Sequence, residues 1–573
     1  MTALQITGLP ENVPVTIEKE QRGEAEMYSV TIGRADGEAI ALSEVRVTVT
    51  ADASGAVGRW FPAAYQYSRG VRQTWNSATV SEYMFDAPVY SYYRSDDANL
   101  LTAAIDDTRI PWRFRCGIDE SLRMLRFTAS PDGVCASRLT FRVFVDRSPR
   151  PYYEAIRDVA RWWAECKGQP VIPACAYDPV YSTWYALHRD IDAENVLAEC
   201  ETAAKLGMKT VFVDDGWATP AESDGFAHAG DWVPNPDKFP DCKGFVDRIH
   251  ALGMKAVLWV APGLCGYATT AARRFAERSL SAHDGYRAYI LDPRDPAVRD
   301  ALVQALCAIL TEYGFDGLKI DFVDVIRGAD TAIDETHDHA SVAEALELFL
   351  STLYRELREI NPDVLVEYRQ SYTGPDILQN ANIIRSTDCA QDFLTNRVNT
   401  IDLRLYTNVA VHADMLQIIE GEAPEDSALQ LTNVLFATPQ ISVRWERLRE
   451  DQIRMLRFWI GFVSEHRALL QQSSFEPAHC YANYPVVTVR NENERLTALY
   501  GERFLILDKP SQVLYVVNSY GRETVYMGSE QPFAVRWRTL DCMGRETACG
   551  ETTLDGTPQL FAIPFNGMLV AEM

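Results

Sequence analysis

The spacing of apolar residues changes period twice along the chain. From Gln5 to about Arg147 apolar and polar positions alternate in short runs such as EVRVTVTA and SRLTFRVFVDRS, broken by Gly, Asp and Pro. Period two with frequent breakers predicts a β-sandwich. PYYEAIRDVARWWAEC then takes helical spacing, which Pro170 and Pro173 end. The middle of the chain has another grammar. AENVLAECETAAKLGMKTVFVDDGW reads as a helix, a glycine stop and a buried strand, and GFVDRIHALGMKAVLWVAP repeats it, with Leu-Gly-Met-Lys at both 206–209 and 252–255. A glycine-stopped helix running into an apolar strand is half of a βαβ unit. Eight such strands are predicted, at 180–184, 210–215, 255–260, 317–322, 364–369, 383–387, 407–412 and 439–444. Period two returns after the helix EDQIRMLRFWIGFVSEHRALL, in YPVVTVR, RFLILD, QVLYVVNS and GMLVAEM.

Eight strands alternating with helices predict a central (β/α)8 TIM barrel. No glycine-rich phosphate loop follows any of them, which disfavours a doubly wound open sheet. The expected division is an N-terminal β-sandwich with its linker helix over 1–172, the barrel over 173–473 and a C-terminal antiparallel β domain over 474–573. With 573 residues, 47% of them hydrophobic, the chain can fill several cores. A formal charge of −25 opposes polyanions, so neither nucleic acid nor an anionic membrane is an expected partner. The first twenty residues lack a basic region followed by an apolar stretch, and no apolar run approaches the roughly 18 residues of a spanning helix. The twelve cysteines form no C-x-x-C pair and read as free thiols. A cytoplasmic protein is expected, with self-association left open.

Catalytic residues of such barrels gather where the strands end. Asp214 and Asp215 end the second strand, Asp321 sits in the fourth, Glu367 in the fifth, and the sixth runs into Asp388. One acid at a strand end is ordinary turn or cap chemistry, whereas five on one rim point to a site. Clustered carboxylates serve either metal enzymes or glycosidases. His337 and His339 are placed in a solvated loop and His412 ends the seventh strand alone, so no ligand set assembles and neither a metal nor another cofactor is expected. Trp184, Trp217 and Trp232 stand near the acids, and aromatic faces beside carboxylates suit a sugar ring. Asp316, followed by Gly, reads as a turn residue, and Asp324 is left without a firm role.

FVDDGWA, GDWVPNPDKFP, ALGMKAVLW and GLKIDF, in this order, resemble glycoside hydrolase family 36, the α-galactosidases related to families 27 and 31. The resemblance covers about 180–325 well and continues more loosely to about 470. It implies an exo-acting hydrolase of terminal α-linked galactose, or of a galacto-configured sugar, on an oligosaccharide or glycoconjugate. It also implies Asp321 as nucleophile, Asp388 as acid/base, Asp214 and Asp215 on the sugar's O4 and O6 side, and Trp232 as the tryptophan of the Gly-Asp-Trp motif. Double displacement would place the two acids about 5–6 Å apart. Asp388 is expected to have a raised pKa from burial and from the charge of Asp321, while Lys319 favours ionised Asp321. The chain departs from the family on the C2 side. EYRQSYTGP replaces the Cys and Ser-Gly-Gly run, Val323 replaces an Asn, and Arg385 replaces a Trp. Arg369 and Arg385 then either meet an amide or anionic substituent of the sugar or pair with Glu367. An α-N-acetylgalactosaminidase, a hydrolase of another substituted α-glycoside, and a non-catalytic carbohydrate-binding barrel are the alternatives.

Overall fold

The computed structural model describes residues 4–573 except 35, 63, 65–68, 221, 222, 224 and 328–332. At its centre stands a sheet of eight parallel strands: β1 (Val180–Ser182), β2 (Thr210–Val213), β3 (Lys255–Val260), β4 (Gly317–Ile320), β5 (Leu365–Arg369), β6 (Ile383–Arg385), β7 (Ala410–His412) and β8 (Gln440–Ile441). Their order is 7-6-5-4-3-2-1-8. Parallel bridges His412–Thr438 and Leu416–Ile441 join the two ends, so the sheet nearly closes into a barrel. All eight predicted strands are present; the third has the length drawn from the sequence and the other seven are shorter. Trp184, expected at the end of the first, instead opens a helical turn, Trp184–Leu187.

The helices follow the apolar spacing. Helix α1 (Tyr152–Lys167) links the N-terminal sheets to the barrel, and α2 (Ala193–Lys205), α3 (Cys242–Ala251), α4 (Pro296–Tyr313), α5 (Val342–Ile360), α6 (Phe393–Tyr406), α7 (Pro424–Asn433) and α8 (Glu450–Glu465) follow. In α5 the buried residues include Val342, Leu346, Phe349, Leu350, Leu353 and Leu357, a three-and-four spacing that lays one face on the strands. Asp295 caps α4 by accepting from the N–H of Ala297, Pro296 is its first residue, and Gly314 ends it at φ 83°.

Two six-stranded antiparallel sheets precede α1 and share a separate core, and a seven-stranded and a three-stranded sheet close the C-terminal end over another. The main core runs through the barrel, α1 and one face of the C-terminal sheet. All twelve cysteines are free. Among the described residues no helix is long and apolar enough to cross a membrane.

Inside the barrel the period of two stacks side chains in layers. Val180, Phe212, Val257, Leu365, Ile383 and Ala410 form an apolar plug at the foot. Two residues on, the same strands carry Ser182, Asp214, Trp259, Glu367, Arg385 and His412. Polarity thus rises towards the strand ends.

Candidate active site

Asp321 follows β4 directly. Its backbone N–H donates to the carbonyl of Val260 at 2.8 Å, carrying the β3–β4 pairing one residue past the strand. Phe322 then adopts φ 54°, an uncommon conformation for a bulky side chain, and turns the chain so that its own N–H donates to Asp321 Oδ1 at 2.8 Å. Trp259 Nε1 donates to the other oxygen at 3.2 Å. Arg369, at the end of β5, donates from Nε to Oδ1 at 2.6 Å, and its Nη2 lies 3.4 Å from Asp324. Tyr372 donates its hydroxyl to Asp324 at 2.8 Å. Burial pushes the Asp321 carboxyl up, but the charge and hydrogen bond of Arg369, aided by Lys319 and Arg385, outweigh it and hold the pKa at about 2. Asp321 is therefore an anion. Arg369 is its chief counter-ion, ahead of Lys319.

Lys319 is turned to the second strand, where its Nζ donates to Asp214 at 2.5 Å. The N–H of Asp214 donates to Thr183 Oγ1, and Asp215 accepts from Arg189 Nε at 2.7 Å. Burial raises the Asp215 carboxyl above its ordinary value, against the pull of Arg189.

Asp388 lies at the rim three residues past Arg385, and its side chain is 67% exposed. Arg385 Nη2 donates to it at 3.0 Å. The same guanidinium, 2% exposed, pairs with buried Asp414 and lies 3.8 Å from Glu367. This arrangement corrects the expectation of a raised pKa. The charge of Arg385 holds Asp388 below the usual carboxylate value, against burial and the charge of Asp321. Asp414 is raised instead, by burial.

Glu367 is also not where the sequence put it. At 1% exposed it lies one layer below the rim, accepting from Gln440 Nε2 at 2.5 Å, with His412 Nδ1 at 3.3 Å. It supports Arg385 and does not face the opening. His412, expected to stand alone, belongs to this buried layer and bonds through Nε2 to the carbonyl of Ala176 at 2.7 Å. His337, expected in a solvated loop, has a side chain only 8% exposed beside Asp292.

Of the three tryptophans, Trp184 is half-buried, whereas Trp217 and Trp232 are buried and stacked with centroids 6.5 Å apart. Trp217 donates Nε1–H to the carbonyl of Trp259 at 2.9 Å, bracing the wall behind Asp321. Beside the Asp321 wall, Phe226 packs against Trp259, Tyr286 and Phe322 in one aromatic cluster. Alternation along β3 and β7 makes Trp259 and Asp414 inward-facing, so both were legible. Tyr372 and Arg189 come from loops, where no period operates.

The family model described as Melibiase matches residues 174–472, just over half of the chain. An A type blood alpha-D-galactosamine galactosaminidase of Flavonifractor plautii is 29% identical over 204 residues, covering 32% of this chain and 18% of the relative. A probable alpha-galactosidase C of Aspergillus flavus is 27% identical over 253 residues, covering 40% and 32%. The chain thus spans under a third of these curated relatives' lengths. A GH36 alpha-galactosidase of Geobacillus stearothermophilus, solved in complex with raffinose, superposes with a TM-score of 0.68 at 13% identity, over 100% of this chain and 86% of the other. At that identity the likeness is one of fold.

Proposed function

The chain belongs to the melibiase family and is α-galactosidase-like, of glycoside hydrolase family 36, and from that premise we propose that it hydrolyses terminal α-linked galactose, or a galacto-configured sugar, with retention. The observation that carries this reading is the pairing of Asp321, held as an anion by Arg369, with the exposed carboxyl of Asp388 on the same rim. Asp321 attacks the anomeric carbon and forms a glycosyl-enzyme while Asp388 gives its proton to the leaving oxygen. Asp388 then takes a proton from water, which cleaves the intermediate. Asp214 and Asp215 receive the O4 and O6 hydroxyls.

Arg385 favours ionised Asp388, so the free enzyme holds the proton of its general acid only at acidic pH. The reading therefore includes an acidic optimum. A second reading, an amino or N-acetylamino substituent at C2, is supported by the group of Arg369, Asp324 and Tyr372 beside the nucleophile.

A panel of aryl α-glycosides of galactose, galactosamine, N-acetylgalactosamine, glucose and xylose tests both. Turnover of galactose or its C2-amino relatives is expected, with Asp321→Ala inactive and partly rescued by azide. A protein that binds these sugars equally well with and without Asp321 and turns none over is a binding barrel.

A further inference from the structure

The foot of the barrel, opposite Asp321, holds a second concavity. The segments entering β1, β7 and β8 meet α1 and residues 471–476 around a cavity of about 590 Å³. Four arginines line it, Arg150, Arg157, Arg161 and Arg404, in a chain whose formal charge is −25. Arg150 and Arg161 both reach Asp158, and of the two lining glutamates Glu476 pairs with Arg490 at 2.7 Å.

Arg157 and Arg404 differ. Arg157 donates to the carbonyls of Arg404 and Thr407, both at 2.8 Å, and to Asn408 Oδ1 at 3.4 Å. Arg404 donates to the carbonyls of Phe436, Leu470 and Ser473 and lies over the ring of Phe475 at 4.1 Å. Among the described residues every hydrogen-bond partner is a neutral oxygen, and the charge of Asp158 acts on Arg157 without a direct bond. The carbonyls at helix ends carry partial negative charge, which offsets only a fraction of each guanidinium. A guanidinium has five N–H donors, and the described bonds engage three on each residue.

Both groups are also destabilised as cations. Burial, then the charge of Arg157, lowers Arg404 to about 9, and burial, then Arg161, lowers Arg157 to about 10. Two half-compensated cations around one cavity suit a dianion with several oxygens, which guanidinium forks bind well. The volume exceeds one phosphate and falls in the range of small-ligand sites.

We propose that the cavity at the barrel foot binds a small phosphorylated ligand, its phosphate received by Arg157 and Arg404. The site is distinct from the rim and independent of the reaction assigned there.

Thermal unfolding of the full-length protein in sodium phosphate and in sodium chloride, at equal ionic strength and pH, tests this with wild type, Arg157→Gln, Arg404→Gln and the rim variant Arg369→Gln. Expected is a saturable rise in Tm with phosphate, kept in Arg369→Gln, and a half-saturating concentration raised at least about tenfold in Arg157→Gln. An equal rise in chloride, or the same phosphate midpoint in Arg157→Gln, overturns the proposal. Half-buried Arg157 decides the matter even where Arg404→Gln does not fold. A hexose 6-phosphate run in parallel separates sources: a lower midpoint than inorganic phosphate identifies a sugar phosphate, and an equal one identifies phosphate itself.

Discussion

Two arginines that the sequence offered to the sugar or to Glu367 set the charge states of the two acids. Arg369→Gln removes the main force holding Asp321 at about 2, while burial still pushes it up. Because the proposed nucleophile acts as an anion, the acidic limb of the pH profile of kcat/KM is expected to move to higher pH. The same pair contributes to stability. The folded pKa of about 2 lies below the ordinary 3.8, so the contribution is complete above about pH 5 and is lost as pH falls towards 2. It amounts to about 2 kcal/mol, measurable by urea unfolding at pH 6 and pH 3 in wild type and Arg369→Gln. Arg385→Gln strips the cation from Asp414, Asp388 and Glu367 together. Breaking a buried pair of this kind costs about 3–5 kcal/mol, and the basic limb of kcat/KM should move to higher pH as Asp388 regains its proton more easily.

At the scale of elements, the strands and their inward residues were legible because period two survives burial. Strand ends were less so, since Trp184 and the residues after Asp321 leave the ladder for turns that no spacing announces. Glu367 shows the limit. Its parity was right, but parity does not say which layer a side chain occupies, and the depth of β5 puts it below the rim beside Gln440. The Asp388 pKa failed for a different reason: Arg385 is only three residues away, but spacing alone does not say that its guanidinium turns onto the carboxylate. The close pairing of β4 and β5 makes one further prediction. A Cβ on Gly317 would meet the carbonyl oxygen of Leu365 at 2.0 Å. Gly317→Ala is therefore expected to lose about 2–3 kcal/mol in chemical denaturation and to lower kcat, because the strand that must shift also carries Asp321.

For the whole molecule, the two changes of hydrophobic period separate antiparallel sheets, a parallel barrel and mainly antiparallel sheets again, each with a buried core. What joins them was not legible. Asp402 in α6 accepts from Trp60 of an N-terminal strand at 2.9 Å and pairs with Arg69 of the loop that follows it. Tyr152 of α1 donates to the carbonyl of Pro477 at 2.6 Å. Such contacts link residues hundreds of positions apart and leave no periodic trace. They hold the barrel in a frame where rim and foot can serve different ligands. At the rim, the proposed reaction is a double displacement by Asp321 and Asp388. It is tested most directly by following an aryl α-galactoside, or its C2-amino analogue if that is the sugar turned over, by proton NMR from the first turnovers. The α-anomer of the released sugar is expected to appear first and to mutarotate to β; release of the β-anomer first would overturn the retaining assignment.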